Sequence, residues 1–144
     1  MTTTSHTLVS GFRRLPLPVA QLSLAAVLQC GQSFRWSVFP LRTETTDFPA
    51  HEYRICLRDR VVCLRQTPDA LHYRSVFALT PSKTEQDAKE EETLAWINDY
   101  FQLKVDLLEL YEQWSKRDPV FLKIKERFSG IRMLRQDPFE CLLS

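Results

Sequence analysis

The chain has 144 residues, of which 44% are hydrophobic and 26% are charged. This composition is typical of one globular domain with its own core, and it excludes a disordered chain. The formal net charge is only +1, so no overall basic field indicates a nucleic-acid partner. Nine acidic residues lie from Glu85 to Glu112, and seven basic residues lie from Lys116 to Arg135. The basic segment suits a phosphate backbone, although a solvated helix face is the simpler explanation for most of these charges.

The first part of the chain predicts a tail, a short helix and a strand. Residues 1–10 have the composition of a polar, disordered tail. The apolar spacing in residues 21–29 predicts a short helix that ends at Gly31. Phe34 and Trp36 then alternate with polar residues, which predicts a strand. Both aromatic side chains suit either the core or a platform for stacked bases, and the alternation favours the core.

Three further strands are predicted at residues 53–57, 62–64 and 71–77, separated by turn-like residues at 59–60 and 68–69. Because strands that follow one another closely tend to pair, we expect an antiparallel meander with strands to about residue 78.

From about residue 88 the apolar period changes to that of a helix. Three apolar sets each fall on one helical face: Leu94, Ile97 and Phe101; Leu107, Leu110, Tyr111 and Trp114; and Phe121, Ile124 and Phe128. Asp106 and the pair Asp118–Pro119 occupy positions of N-terminal caps. The run of glutamates at residues 90–92 suits a charged first helical turn. Strands followed by helices predict an α+β fold.

The last residues predict the start of another helix. Asp137 suits the N-cap, Pro138 the first helical position and Glu140 the capping-box position, and an apolar run follows at once. We expect residues 137–144 to be the first turns of a further helical domain, so that the chain is the truncated front part of a longer protein.

The cysteines and the N-terminus carry little functional signal. None of the four cysteines has CxxC spacing, so no metal site is predicted. Cys56 and Cys63 suit a disulfide across a hairpin, but two free thiols in a reducing compartment are favoured. No apolar stretch approaches the length of a membrane span. Arg13 and Arg14, with Thr and Ser and no acidic residue before Glu44, give the N-terminus a faint similarity to an organellar transit segment.

Three separated segments together carry a family resemblance. They are the hexapeptide Gly-Gln-Ser-Phe-Arg-Trp at residues 31–36, Tyr-Phe-Gln-Leu at 100–103, and Arg-Gln-Asp-Pro with Glu-Cys-Leu at 135–142. In this order they closely resemble the N-terminal part of the eukaryotic-type 8-oxoguanine DNA glycosylase/AP lyase family. The resemblance implies a TATA-binding-protein-like domain over residues 11–136, a twisted antiparallel sheet flanked by helices. It also implies damaged double-stranded DNA as the partner, with no cofactor and no metal. The loops at 40–50 and 79–90 depart from the family.

Gly31 is the candidate lesion-base-binding residue. In the family, the matching glycine presents its backbone carbonyl to the extruded base. Guanine N7 accepts a hydrogen bond, whereas N7 of 8-oxoguanine carries a hydrogen, so a fixed carbonyl favours the lesion. Glycine permits the unusual backbone that such a contact needs. The alternative is a helix C-cap glycine without a ligand, and both roles are compatible.

Other polar residues have less specific interpretations. Arg35 suits either a phosphate contact or a structural ion pair. His6, His51 and His72 are expected to face solvent, since nothing in the sequence pairs one of them with a nucleophile.

No residue here matches the catalytic groups of the family. Its nucleophilic lysine and its aspartate lie on and after a helix-hairpin-helix containing Gly-x-Gly, and the three glycines of this chain form no such motif. The chain alone is therefore expected to be inactive, and a nuclear location is expected, with the mitochondrion as the second. The alternative function is a non-enzymatic DNA- or protein-binding module; the related 3-methyladenine-type glycosylases explain residues 31–36 less well.

Overall fold

The computed structural model describes Val9, residues 11–42 and residues 49–143. It divides into two compact units. The sheet unit consists of residues 1–17 and 35–95, and the helical unit consists of residues 18–34 and 96–144. The predicted tail, apart from Val9, lies outside the described residues, as does His6.

The sheet unit contains a five-stranded antiparallel sheet. Its strands are β1 (Arg13–Pro16), β2 (Ser37–Pro40), β3 (His51–Cys56), β4 (Arg60–Thr67) and β5 (Ala70–Phe77). They lie in the order β1-β5-β4-β3-β2. The four strands from β2 to β5 form the predicted meander. Strand β1, which was not predicted, pairs with β5 in a register that places Arg13 opposite Tyr73. Four residues with one proline and two exposed arginines carry too little alternation to indicate a strand.

The tight turns of the sheet follow the predicted turn residues. Thr67 and Ala70 face each other at the β4–β5 turn. The register of β3 and β4 pairs Cys56 with Val61 and Cys63 with Arg54, so the two cysteines are not opposite each other. Both are free thiols, as favoured from the sequence.

Arg60 joins strand β4 to helix α2 (Lys83–Tyr100), the longest helix, which contributes residues to both units. The Arg60 side chain is 8% exposed. It donates to the Lys89 carbonyl at 2.8 Å and to the Glu92 carboxylate at 2.7 Å. A buried guanidinium requires such partners, so this contact fixes the helix on one face of the sheet.

The helical unit contains the remaining helices. They are α1 (Leu24–Leu28), the end of α2, α3 (Leu107–Arg117), α4 (Pro119–Ile124) with a 3₁₀ turn at Lys125–Phe128, and α5 (Pro138–Leu143). The predicted caps are confirmed. The Asp106 carboxylate accepts from the Glu109 amide at 3.2 Å, and the Asp118 carboxylate accepts from the Val120 amide at 2.8 Å. Ile97 and Phe101 are fully buried, as their helical spacing predicted.

Three predictions on individual residues are wrong. Phe34 is 76% exposed, because the strand after the hexapeptide begins only at Ser37; Trp36 is buried as predicted. His72 is buried, and its Nε2 lies 2.9 Å from the Thr67 hydroxyl. The three glutamates at 90–92 lie inside α2 and not in its first turn, because α2 begins at Lys83. A capping interaction sets that start, since the Glu85 carboxylate accepts from the Ser82 backbone amide at 3.2 Å.

Within the described ranges, no helix has the length and apolar character needed to cross a membrane. The same residues contain no group of three His, Cys, Asp or Glu side chains arranged to hold a metal ion.

Candidate functional site

Gly31 lies in an exposed loop immediately after helix α1. The helix ends with Gln29 as its C-cap, so Gly31 is one residue beyond the C′ position that a cap glycine takes. Its φ is +87°, in the left-handed region. A Cβ built on Gly31 has no heavy atom within 4 Å. The backbone conformation therefore requires glycine, while the space in front of the residue is open.

The loop is held in place by the next residue, Gln32. Its Nε2 donates to the Arg132 carbonyl at 2.8 Å, and its Oε1 accepts from the Leu134 amide at 2.9 Å. Its own backbone carbonyl accepts a hydrogen bond from the Gln136 side chain. The carboxamide of Gln32 thus bonds to the backbone of residues 132–134 as a neighbouring strand would.

Residues 130–136, which we call the anchor segment, are themselves fixed. Arg132 is buried and donates to the backbone carbonyls of Gln21 and Gln102, the latter at 2.9 Å. Burial lowers the pKa of the Arg132 guanidinium, which nevertheless stays charged. Its third bond, at 2.7 Å, is to the side-chain oxygen of Gln21, whose amide nitrogen donates to Asp106. That bond holds the pKa of the Asp106 carboxyl below its usual range.

Gly130 begins the anchor segment at a close approach of two backbones. Its φ is +76°, and its carbonyl accepts from the Ser23 amide at 2.8 Å. A Cβ at this position would lie 2.3 Å from the Val19 carbonyl oxygen. Unlike Gly31, Gly130 is therefore required for packing as well as for its backbone conformation.

A second contact joins the hexapeptide to helix α5. The Asp137 carboxylate accepts from the Phe139 amide at 2.9 Å, which confirms the predicted N-cap. The predicted capping-box residue, Glu140, accepts from the Ser33 hydroxyl at 2.9 Å, and Ser33 is buried. The resembling segments at 31–36 and 135–142 are thus in direct contact.

The residues that neighbour Gly31 in the sequence differ in exposure and in bonding. Phe34 is exposed, and the Cys30 thiol donates to the Val27 carbonyl at 3.2 Å. Arg35 donates to the Cys56 carbonyl at 2.6 Å within the sheet unit, which supports the structural interpretation of this side chain.

The arrangement presents a backbone peptide group to solvent from a loop that is held from behind. Along the described chain, no hydrogen bond to the Gly31 carbonyl is formed. Such a group can accept a hydrogen bond from a ligand, and no heavy atom lies within 4 Å of the Cβ position of Gly31.

The sequence selected Gly31 as a candidate through the family resemblance, but it did not indicate the residues that support it. Gln32, Arg132 and Gln136 carry no periodic or spacing signal, because Gln32 bonds to residues 100 to 104 positions away and Arg132 bonds to Gln21 across 111 positions. Gln32 and Gln136 lie inside the resembling segments, whereas Arg132 lies outside them.

Comparison with known proteins connects this site to one family. Residues 14–142 match the family model described as 8-oxoguanine DNA glycosylase, N-terminal domain. The chain is 32% identical over 131 residues to N-glycosylase/DNA lyase OGG1 of Arabidopsis thaliana, covering 90% of this chain and 31% of that protein. It is 33% identical over 136 residues to the N-glycosylase/DNA lyase of Saccharomyces cerevisiae, covering 92% of this chain and 33% of that protein.

Solved structures show the same relationship. The 8-oxoguanine glycosylase/lyase of Clostridium acetobutylicum, in complex with double-stranded DNA containing cytosine opposite to 8-oxoG, is 29% identical with a TM-score of 0.56. The match covers 85% of this chain and 35% of that one. The structure of MBOgg1 with a low-affinity DNA ligand is 28% identical with a TM-score of 0.51, covering 88% and 38%. The chain thus spans about a third of the length of the curated relatives it matches.

Proposed function

Because the chain belongs to the 8-oxoguanine DNA glycosylase family through its N-terminal domain, we propose that it recognises 8-oxoguanine in damaged double-stranded DNA for base excision repair. In this proposal the chain supplies the contact to the lesion, and the lysine and aspartate of the reaction belong to sequence that it does not contain. The relatives are both N-glycosylase/DNA lyases, which disfavours the non-enzymatic module as the alternative. The proposed location is the nucleus, with the mitochondrion second.

The proposal rests on the exposure, the backbone conformation and the surroundings of Gly31. The lesion differs from guanine at N7 by one hydrogen, so a carbonyl that accepts this hydrogen repels the lone pair of the normal base. Gly31 is exposed, has a left-handed backbone and has open space before it, while its neighbours on the chain are bonded to the anchor segment. A carbonyl in this setting reads the N7 hydrogen.

A chimera tests the function. Residues 14–142 of this chain replace the matched part of the Saccharomyces relative, which keeps its own remaining two thirds. We expect the chimera to release 8-oxoguanine from a duplex with cytosine opposite and to leave an undamaged duplex intact. The control is the same relative without its N-terminal third. A soluble, folded chimera that nicks preformed abasic sites but ignores 8-oxoguanine would refute the lesion-contacting role.

A further inference from the structure

We propose that Gln32 is a positioning residue that fixes the orientation of the Gly31 carbonyl and thereby enforces the rejection of guanine. The proposal rests on the lesion contact proposed above for Gly31, and it assigns a role to a side chain that does not touch the base.

Gln32 makes three hydrogen bonds to the anchor segment. Gln32 uses the acceptor and a donor of its carboxamide on Arg132 and Leu134, and its main-chain carbonyl is bonded to Gln136. A surface glutamine in a loop has no need of three bonds to one segment, since water satisfies its carboxamide equally well. Three bonds along residues 132–136 restrain the position of Gln32 and the peptide group that follows it.

The planar peptide bond couples the position of Gln32 to the orientation of the Gly31 carbonyl. The Gly31 carbonyl and the Gln32 amide belong to one planar unit. If the Cα of Gln32 is fixed, the carbonyl retains only the torsions of Gly31 itself. These are the freest torsions in a protein, because glycine has no Cβ. An unheld Gln32 would therefore let the whole peptide unit turn.

The anchor segment is itself held in place by further hydrogen bonds. The Arg135 amide donates to the Tyr100 carbonyl at 2.8 Å, and buried Arg132 bonds to Gln21 and Gln102. Gln102 in turn donates to the Met133 carbonyl at 2.9 Å. The support of Gln32 thus reaches the end of helix α2 and the chain before helix α1.

The consequence is asymmetric between the two bases. A freely turning carbonyl still meets the N7 hydrogen of 8-oxoguanine, because that contact is attractive. It also turns away from the N7 lone pair of guanine, so the repulsion that excludes the normal base disappears. Loss of Gln32 is therefore expected to raise the affinity for guanine more than it lowers the affinity for the lesion.

The test uses the 144-residue chain with three variants. Gln32→Ala removes both side-chain bonds to the anchor segment, together with the 3.4 Å bond from Nε2 to the Cys30 sulfur, and Gln136→Ala removes the bond to the Gln32 carbonyl. The matched control is Gln113→Ala, an exposed glutamine of α3 in the same unit, whose amide makes one 3.4 Å bond to Glu109. Each protein is titrated with labelled single strands carrying either 8-oxoguanine or guanine, in which the base is available without opening a duplex. Hydrogen exchange of the peptide containing Leu134 reports the Gln32 bond without DNA.

We expect Gln32→Ala to reduce the preference for 8-oxoguanine about five- to ten-fold, mostly through tighter binding of guanine. Exchange at Leu134 should rise about five-fold, and Gln136→Ala should give a smaller change in the same direction. Gln113→Ala should match the unsubstituted chain. If Gln32→Ala exchanges faster at Leu134 but keeps its preference for 8-oxoguanine, the role of Gln32 is overturned while the proposed function stands. Equal weakening toward both strands would show a merely structural residue, and no preference in the unsubstituted chain would overturn the proposed function.

Discussion

Replacing Gly31 by alanine separates lesion reading from folding, because the chain contains a matched control glycine. Gly11 has φ of +80° and Gly31 has φ of +87°, and a Cβ at either residue meets no heavy atom within 4 Å. Both substitutions impose the same backbone strain without a clash. Only Gly31 lies in the loop that we assign to the base.

The magnitudes can be worked separately. A left-handed backbone costs an alanine about 1–2 kcal/mol, and the stiffer unfolded chain returns about 0.4–1 kcal/mol. The net loss of about 1 kcal/mol corresponds to a melting temperature about 2–6 °C lower for a chain of this size, in both variants. Loss of an aligned carbonyl costs Gly31→Ala a further contact of about 1–2 kcal/mol, which is about ten-fold in discrimination.

The assay uses the chimera described above, extended at its N-terminal side so that it includes Gly11 of this chain, under single-turnover conditions. Release of 8-oxoguanine opposite cytosine should fall about ten-fold in Gly31→Ala, while nicking of a preformed abasic site, which presents no base, should change much less. Gly11→Ala should keep both activities despite its equal loss of stability. If both activities of Gly31→Ala fall together and follow the melting temperature, the carbonyl does not read the lesion.

Three further outcomes are expected. Gly130→Ala should be far more destabilising than Gly31→Ala in thermal denaturation, since its Cβ would overlap the Val19 carbonyl; a similar melting temperature for both would contradict the close approach. The 144-residue chain should form no borohydride-trapped adduct with 8-oxoguanine DNA, because it contains no match to the family's lysine, and an adduct on a gel would disprove this. Burial lowers the pKa of His72, so the unfolded state binds more protons below about pH 6.5 and stability should fall as the pH drops from neutrality. His72→Gln should flatten that decline in a pH series of melts, and an equal decline in both proteins would contradict this.

The sequence predicted those parts of the fold that depend on local patterns. The meander from β2 to β5 and the caps at Asp106, Asp118 and Asp137 follow from alternation and from side chains that bond two or three residues away. Strand β1 was not predicted, because its edge position leaves two arginines exposed and so removes the alternating pattern. The burial of His72 was not predicted because its cross-strand partners are Arg14 and Arg65, so no apolar pattern marks this position.

The sequence likewise indicated one residue of the candidate site and did not indicate others. Gly31 could be selected because the hexapeptide at residues 31–36 carries the family resemblance, and its left-handed backbone is one that favours glycine. Gln32 and Arg132 could not, because a glutamine that replaces a strand partner and an arginine that bonds three oxygens look like ordinary surface residues. Their partners lie about a hundred positions away, and only the folded chain brings them together.

The hydrogen bonds that hold Gln32 are strong enough for the Gly31 carbonyl to discriminate between 8-oxoguanine and guanine. A carbonyl rejects guanine only if moving it aside costs more than the repulsion it exerts; otherwise the loop yields and the normal base enters. The bonds that Gln32 makes to Arg132, Leu134 and Gln136, at about 1 kcal/mol each, give about 3 kcal/mol of resistance. The contact at N7 is worth about 1–2 kcal/mol. With all three bonds the carbonyl holds its position, and with the two side-chain bonds removed the remaining bond, at about 1 kcal/mol, no longer exceeds the repulsion. Discrimination is therefore expected to fall steeply between Gln136→Ala and Gln32→Ala, rather than in proportion to the bonds removed.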